Sequence, residues 1–393
     1  MAEKLALVFT GGGAKGGFGV GVLAGILEAY PKLRWHIVTG TSTGSLIAPL
    51  AALGASDREQ VKRLEGIYRG ARKAKILASN LSFWRIVWAL VRWRLPHGLY
   101  RMKPLRRLVA SVLPEAVLAA LRDAEVATVA CAVELDRGAL VLCCQDSFAP
   151  TLKASYDRYV GDNVGQLPVE IVPFARYRDM LVASASIPFA VDPAEVGDAR
   201  LVDGGVREFA PLRPALALGA THAIVITMSP TDPSAPASAA ANLVQVGLRA
   251  VDLLEDQVLR GDLATATAAV AIRKAASKLL LNISELMQVI GPSRSAAAAG
   301  APPHAHHLGH ARLAEYLASS LAELPLLIAP AVALGETFDF DSTVPAGWPE
   351  HPDPASPDTK QIMDAWVDYG RAVAAQAIAS TAALRQILER FSA

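Results

Sequence analysis

Apolar residues recur along the chain in two rhythms. Leu5 to Thr10 and Trp35 to Thr39 are short apolar runs bounded by turn residues, the pattern of strands buried on both faces. Between them an Ala/Leu/Val-rich stretch from about Gly17 to Ala29, closed by Pro31, predicts a helix. A second apolar helix is expected over Ser45 to Leu53, ending at Gly54. Strand, glycine turn, helix, strand, tight turn, helix is how a parallel α/β sheet begins. Further on, Glu125 to Glu134 and Ala139 to Cys144 read as strands joined through the turn Asp136-Arg137-Gly138. Arg200 to Val202 reads as a short strand and Ala223 to Met228 as a buried one. From Asn242 the period turns helical. Leu243, Val246, Ala250, Leu253 and Leu254 mark one expected buried face, and Ile362, Trp366, Tyr369 and Val373 another. Residues 291–310, rich in Ala, Pro, Ser and His, predict a flexible loop.

Composition narrows the class. The 393 residues are 52% hydrophobic and 19% charged, enough apolar material for a large core over most of the length. With 38 basic and 37 acidic residues the net charge is +1, which argues against a nucleic-acid partner held by bulk electrostatics. Cys131, Cys143 and Cys144 are odd in number with two adjacent, so they read as small core residues in a reducing compartment. The N-terminus lacks the charged head and apolar run of a signal peptide, and no stretch supplies about 20 consecutive apolar residues. A cytoplasmic location is expected.

Two local patterns carry chemistry. Residues 40 to 44 read GTSTG between an expected strand and an expected helix, the setting of a nucleophile elbow: a strained turn lifts the Ser42 hydroxyl out of the sheet while Gly40 and Gly44 avoid clashes. The glycines at Gly11, Gly13 and Gly16 fit a dinucleotide-binding turn, but that fold needs an acidic residue at the end of the second strand, and none stands between Glu28 and Asp57. The amides of Gly11, Gly12 and Gly13 at a helix start instead suit an oxyanion, and Lys15 is either added positive charge or a solvated lysine. A serine nucleophile needs a base. His36 lies in a strand, His222 opens one, and His304, His306, His307 and His310 sit in the loop, so none of these is compelling. Asp203, followed by Gly204 and Gly205 in a tight turn, is the better lead.

Gly11-Gly12-Gly13-Ala14-Lys15-Gly16, Gly40 to Gly44 and Asp203-Gly204-Gly205, in that order, resemble the glycine loop, serine elbow and Asp-Gly motif of the patatin-like phospholipases. Ala183 to Pro188, reading ASASIP, and Pro104 to Leu108 also look like segments of that family. The resemblance covers about residues 5–215. It implies an α/β three-layer sandwich with a mostly parallel central sheet flanked by helices, followed by a C-terminal strand and helical region over 216–393. It also implies a Ser42–Asp203 dyad, an oxyanion hole at Gly11 to Gly13, supporting roles for Lys15, Gly16, Gly40, Gly44, Gly204 and Gly205, and no metal or other cofactor. Because an ordinary aspartate is a weak base, Asp203 is expected in a partly apolar pocket that raises its pKa while it hydrogen-bonds Ser42.

The activity so implied is hydrolysis of phospholipid or lysophospholipid acyl esters. An acyltransferase or thioesterase using the same dyad, and a non-catalytic lipid-binding module, are the alternatives. Residues 81–95, rich in Trp and Arg and free of acids, are a candidate for peripheral membrane contact or for a cap helix over the sheet.

Overall fold

The first apolar run folds as strand β1 (Leu5–Phe9), and the glycine cluster turns through Gly13–Lys15 into helix α1 (Gly16–Ala29). The computed structural model describes residues 3–71, 76–79, 100–160, 168–229, 243–290, 326–328 and 362–393. Next come β2 (Ile37–Thr41), α2 (Thr43–Leu53), α3 (Glu59–Arg69), β3 (Ala78–Ser79), β4 (Tyr100–Arg101), α4 (Lys103–Val112) and α5 (Glu115–Arg122). The middle of the chain forms β5 (Ala127–Glu134), β6 (Leu140–Cys143), α6 (Ala149–Val160), β7 (Val169–Val172), α7 (Tyr177–Ser184), β8 (Ala194–Val196) and β9 (Ala199–Asp203). After these stand α8 (Leu212–Ala217), β10 (His222–Ile226), the long α9 (Leu243–Ile290), β11 (Leu326–Ile328), α10 (Ile362–Ser380) and α11 (Ala382–Arg390).

Among the described residues the main sheet runs β11-β10-β1-β2-β5-β6-β7, with β9 also paired to β5 and β8 to β9. The pairs from β11 across to β5 are all parallel, as the alternating strands and helices predict. The β5–β6 hairpin is antiparallel, and Gly138 takes the left-handed conformation its turn requires, at φ 65°. Side chains alternate between the faces of β1. Leu5, Leu7 and Phe9 join a core shared with α1, α2 and α10, whereas Ala6 and Val8 face a second core completed by α8 and α9. The molecule is thus a mostly parallel sheet flanked by helices.

Helix α10 closes on α1 at backbone distance. A methyl group at Gly21 would stand 2.0 Å from the Val367 carbonyl oxygen, and one at Gly370 would stand 2.2 Å from that of Phe18. Trp366 and Tyr369, on the face expected to be buried, are buried here.

The phase expected for α9 is wrong. Val246, Leu253 and Leu254 are 51%, 54% and 58% exposed, while Val251, Leu259 and Ala266 face the core. The adjacent leucines pulled the apparent stripe off its axis, and the true inner face carries the acidic residues Glu255 and Asp262, which a hydrophobic pattern assigns to solvent. Strand β2 starts two residues later than expected and runs to Thr41, so only Ser42 separates it from α2. Residues 81–95 and 291–310 lie outside the described residues. Among those described, no helix is long and apolar enough to cross a membrane.

Candidate active site

Ser42 and Asp203 meet because two strands abut end to end on one edge of β5. Strand β2 runs parallel to β5 and its last residue, Thr41, lies opposite Cys131. Strand β9 runs antiparallel to β5 and its last residue, Asp203, lies opposite Ala132. Cys131 and Ala132 are consecutive, and the other edge of β5 is taken by β6. The two strands therefore point their C-terminal ends at each other, and Ser42 leaves the sheet beside Asp203. Gly204 fits the junction because a methyl there would stand 2.4 Å from the Cys131 carbonyl oxygen.

Ser42 sits at φ 55°, ψ −124°, a conformation L-residues avoid at a cost of about 1–3 kcal/mol. Its surroundings enforce it. The Ser42 N–H donates to Ser184 Oγ at 2.9 Å, and the Ser184 hydroxyl donates in turn to the Cys131 carbonyl. The Ser42 carbonyl accepts from Ser45 N–H at 3.0 Å and Ser45 Oγ at 2.7 Å. Neither flanking glycine has room for a side chain: a methyl at Gly40 would lie 2.2 Å from the Gly44 oxygen, and one at Gly44 would lie 2.3 Å from the Phe9 oxygen.

Asp203 is wholly buried. Its Oδ1 accepts the Gly205 N–H at 2.8 Å, and its N–H donates to the Ser186 carbonyl at 2.9 Å. Ser184 and Ser186, both from the ASASIP segment, thus contact the two residues at the strand junction. Burial pushes the Asp203 carboxyl up to about 7, against the opposing pull of the Ser42 hydroxyl and the Gly205 amide. The Ser42 hydroxyl stands close enough to lower that value as a hydrogen-bonding neighbour, while Asp203 Oδ2 has no hydrogen bond of regular geometry among the described residues.

The glycine loop adjoins this pair. Gly12 and Gly13 take φ 154° and 56°, and neither amide donates to a protein acceptor among the described residues. Both stand at the N-terminal approach to α1, where the helix dipole is positive. Gly11 abuts the Phe209 ring, and Gly16 is pressed against the Thr43 side chain. Lys15 is not simply solvated. It is half-buried, burial lowers its pKa, and Asp252 and Glu255 of α9 oppose that shift. Glu255 lies against Gly205, and burial together with the Asp203 charge pushes its carboxyl well above the usual range.

Ser42 and Gly13 border a pocket of about 950 Å³, open mouth included. Its walls are Leu46 and Leu50 of α2, Leu64 of α3, Leu105 and Val109 of α4, and further aliphatic side chains. Among the described residues no charged side chain lines it, and the Tyr68 phenol is engaged with Thr43 Oγ1 at 2.9 Å. Among the described residues no group of His, Cys, Asp or Glu is arranged to hold a metal ion.

Several contributors escape a motif search. Thr39 and Thr41 share one face of β2 and donate to the carbonyls of Pro211 and Glu208, both at 2.7 Å, tying the elbow strand to the loop beyond Asp203. The T-x-T alternation was the available signal. Asp262 grips the same loop from α9, and nothing local in the sequence announces it.

A crystal structure of VipD from Legionella pneumophila aligns with 99% of this chain and 67% of its own, at 12% identity and a TM-score of 0.41. No protein of curated function matches. The family model described as patatin-like phospholipase matches residues 7–216, from β1 to the helix that follows the Asp203 loop. That is more than half of the chain, and the protein belongs to the patatin-like phospholipases, a family of lipid acyl hydrolases.

Proposed function

We propose that the protein hydrolyses carboxylic esters of phospholipids or lysophospholipids through a Ser42–Asp203 dyad. Ser42 Oγ attacks the ester carbonyl while its proton passes to Asp203. The oxyanion forms against the amides of Gly11, Gly12 and Gly13, where loss of one donor typically costs about 2.7–4 kcal/mol of transition-state stabilisation. The tetrahedral intermediate collapses, and the leaving alcohol takes the proton from Asp203. The Ser42 acyl-enzyme is then attacked by water, whose proton goes to Asp203, and the fatty acid leaves as Ser42 is reprotonated. The Ser42 amide takes no part in binding the oxyanion, because Ser184 already occupies it.

The observation that carries this reading is a buried carboxyl with a pKa of about 7 beside a serine in a strained turn at a largely aliphatic pocket. A base is most effective when its pKa lies near the working pH, and an aspartate reaches that range only by losing its water. The pocket suits one acyl chain: each buried methylene contributes about 0.8 kcal/mol, so affinity rises with chain length until the cavity is full. The head group must then lie outside, where the walls cease to be aliphatic.

Free fatty acid released from phosphatidylcholine and lysophosphatidylcholine vesicles tests the reading. Wild type is expected to release it, and Ser42→Ala and Asp203→Asn are expected to release none above background. Equal release by Ser42→Ala refutes the mechanism. Absence of release by wild type from both lipids refutes the substrate class.

A further inference from the structure

We propose that Asp262, on α9 and beyond the residues the family model matches, is a positioning residue of the catalytic centre that sets the glycine loop against the Asp203 loop by way of Phe209. The proposal rests on the hydrolase reading above. Asp262 is buried, and its Oδ2 accepts two consecutive backbone N–H groups, those of Phe209 and Ala210, each at 3.0 Å. An acceptor shared by adjacent amides fixes the orientation of the peptide between them as well as its distance. Both donors are buried, so neither finds water as a substitute when the carboxylate is removed.

The clamped peptide carries the Phe209 ring into the centre. Phe209 is buried, and its ring touches both halves of the proposed site. A methyl on Gly11 would stand 2.7 Å from Cε2, and one on Gly205 would stand 3.0 Å from Cδ2. The ring is therefore a spacer between the oxyanion amides and the turn whose Gly205 N–H holds Asp203 Oδ1. Other bonds pin the loop on either side of this peptide: Thr41 and Thr39 hold the carbonyls of Glu208 and Pro211, Glu208 N–H donates to the Gly204 carbonyl at 2.9 Å, and Leu212 N–H donates to the Ala210 carbonyl at 2.6 Å, but none of them takes the N–H of Phe209 or Ala210. Without Asp262 the ring loses the contact that presses it toward Gly11. A displacement on the order of 1 Å at such a point lowers the rate by up to about 100-fold.

The charges around Asp262 keep it in place. Arg213 lies 3.8 Å from Oδ1 and pairs with Glu208 Oε2 at 2.8 Å, so one guanidinium faces both buried acids. An asparagine at 262 retains an oxygen able to accept both amides, while it loses the charge and turns an NH2 group toward Arg213, whereas an alanine loses the acceptor.

The test uses the full chain at a temperature where circular dichroism shows each variant folded. It combines kcat and KM for a short-chain ester, the rate of Ser42 labelling by a fluorophosphonate, and hydrogen exchange at the amides of residues 209 and 210. Asp262→Ala is expected to lose protection at those amides and to lower kcat and labelling rate by about 10- to 100-fold with KM little changed, whereas Asp262→Asn keeps protection and stays within a few fold of wild type. Lost protection with unchanged kcat overturns the proposal, as does an Asp262→Asn as damaged as Asp262→Ala. If Asp262→Ala does not fold, Phe209→Leu decides: its shorter side chain is expected to lower kcat, and unchanged kcat overturns the proposal. A wild type that neither cleaves the ester nor takes the probe at Ser42 refutes the hydrolase reading instead, and the exchange data still judge the clamp.

Discussion

Ser42 follows one of two strands that abut on β5 and Asp203 ends the other, yet they are held by different physics. Around Ser42 the constraint is shape: a positive-φ residue between two glycines that have no space for a methyl, with the Ser184 hydroxyl on its amide. Around Asp203 the constraint is polar. Asp203, Glu208, Asp262 and Arg213 are all withdrawn from water to some degree, and Asp203, Glu208 and Asp262 have carboxyls pushed up to about 7, 8 and 6. A nucleophile needs a fixed direction, which tight packing supplies without charge. A base needs a tuned proton affinity, which requires desolvation and therefore a site that is expensive to build.

Substitutions that exploit the difference are expected to diverge in sign. Gly44→Ala forces a methyl against the Phe9 backbone, and both stability and activity are expected to fall, with about 3 kcal/mol or more lost in urea unfolding. Asp203→Asn is expected to abolish activity and yet to stabilise the fold. The folded carboxyl holds its proton up to about pH 7 whereas the unfolded one releases it near 3.8, so stability present below pH 4 is lost as pH rises through 7. Thermal melts at pH 8 should therefore place Asp203→Asn above wild type by on the order of 2 kcal/mol, with the gap closing toward pH 4. A lower melting point at pH 8 contradicts the burial cost assigned to Asp203.

Kinetics sharpen the contrast further. For a monomeric short-chain ester, kcat/KM is expected to rise with pH along a limb centred near 7, because only ionised Asp203 accepts the Ser42 proton. A limb near 4 would show a solvated, ordinary aspartate. The smallest effect is expected from Glu255→Gln. Burial raises the Glu255 carboxyl, so a neutral glutamine imitates its uncharged form, and the limb is expected to move by no more than about a few tenths of a pH unit.

Much of this was legible in the sequence. The buried strand β1, the glycine turns and the serine elbow follow from local rules, and so do the strands expected at Glu125 to Glu134 and Arg200 to Val202, which form at Ala127–Glu134 and Ala199–Asp203. The ordering of three motifs pointed to the dyad. What local rules miss is register: nothing near Thr41 or Asp203 says that they will lie opposite neighbouring residues of a third strand. They also misplace α9, because its core-facing side is built partly from acids whose partners, Arg213 and the 209–210 amides, come from another part of the chain. Pattern reading treats a carboxylate as solvent-facing unless its partner is in view.

The end-to-end meeting of two strands along β5 makes competence a late and fragile event in the life of each molecule. The ribosome must have released residue 203 before the short antiparallel segment can zip onto β5, so a truncated product ending earlier has a serine but no proton acceptor. Sliding that segment by one position carries the carboxylate about 3.3 Å along β5 and turns it to the opposite face of the sheet. A chain that mispairs there keeps most of its architecture while Ser42 loses its carboxylate neighbour.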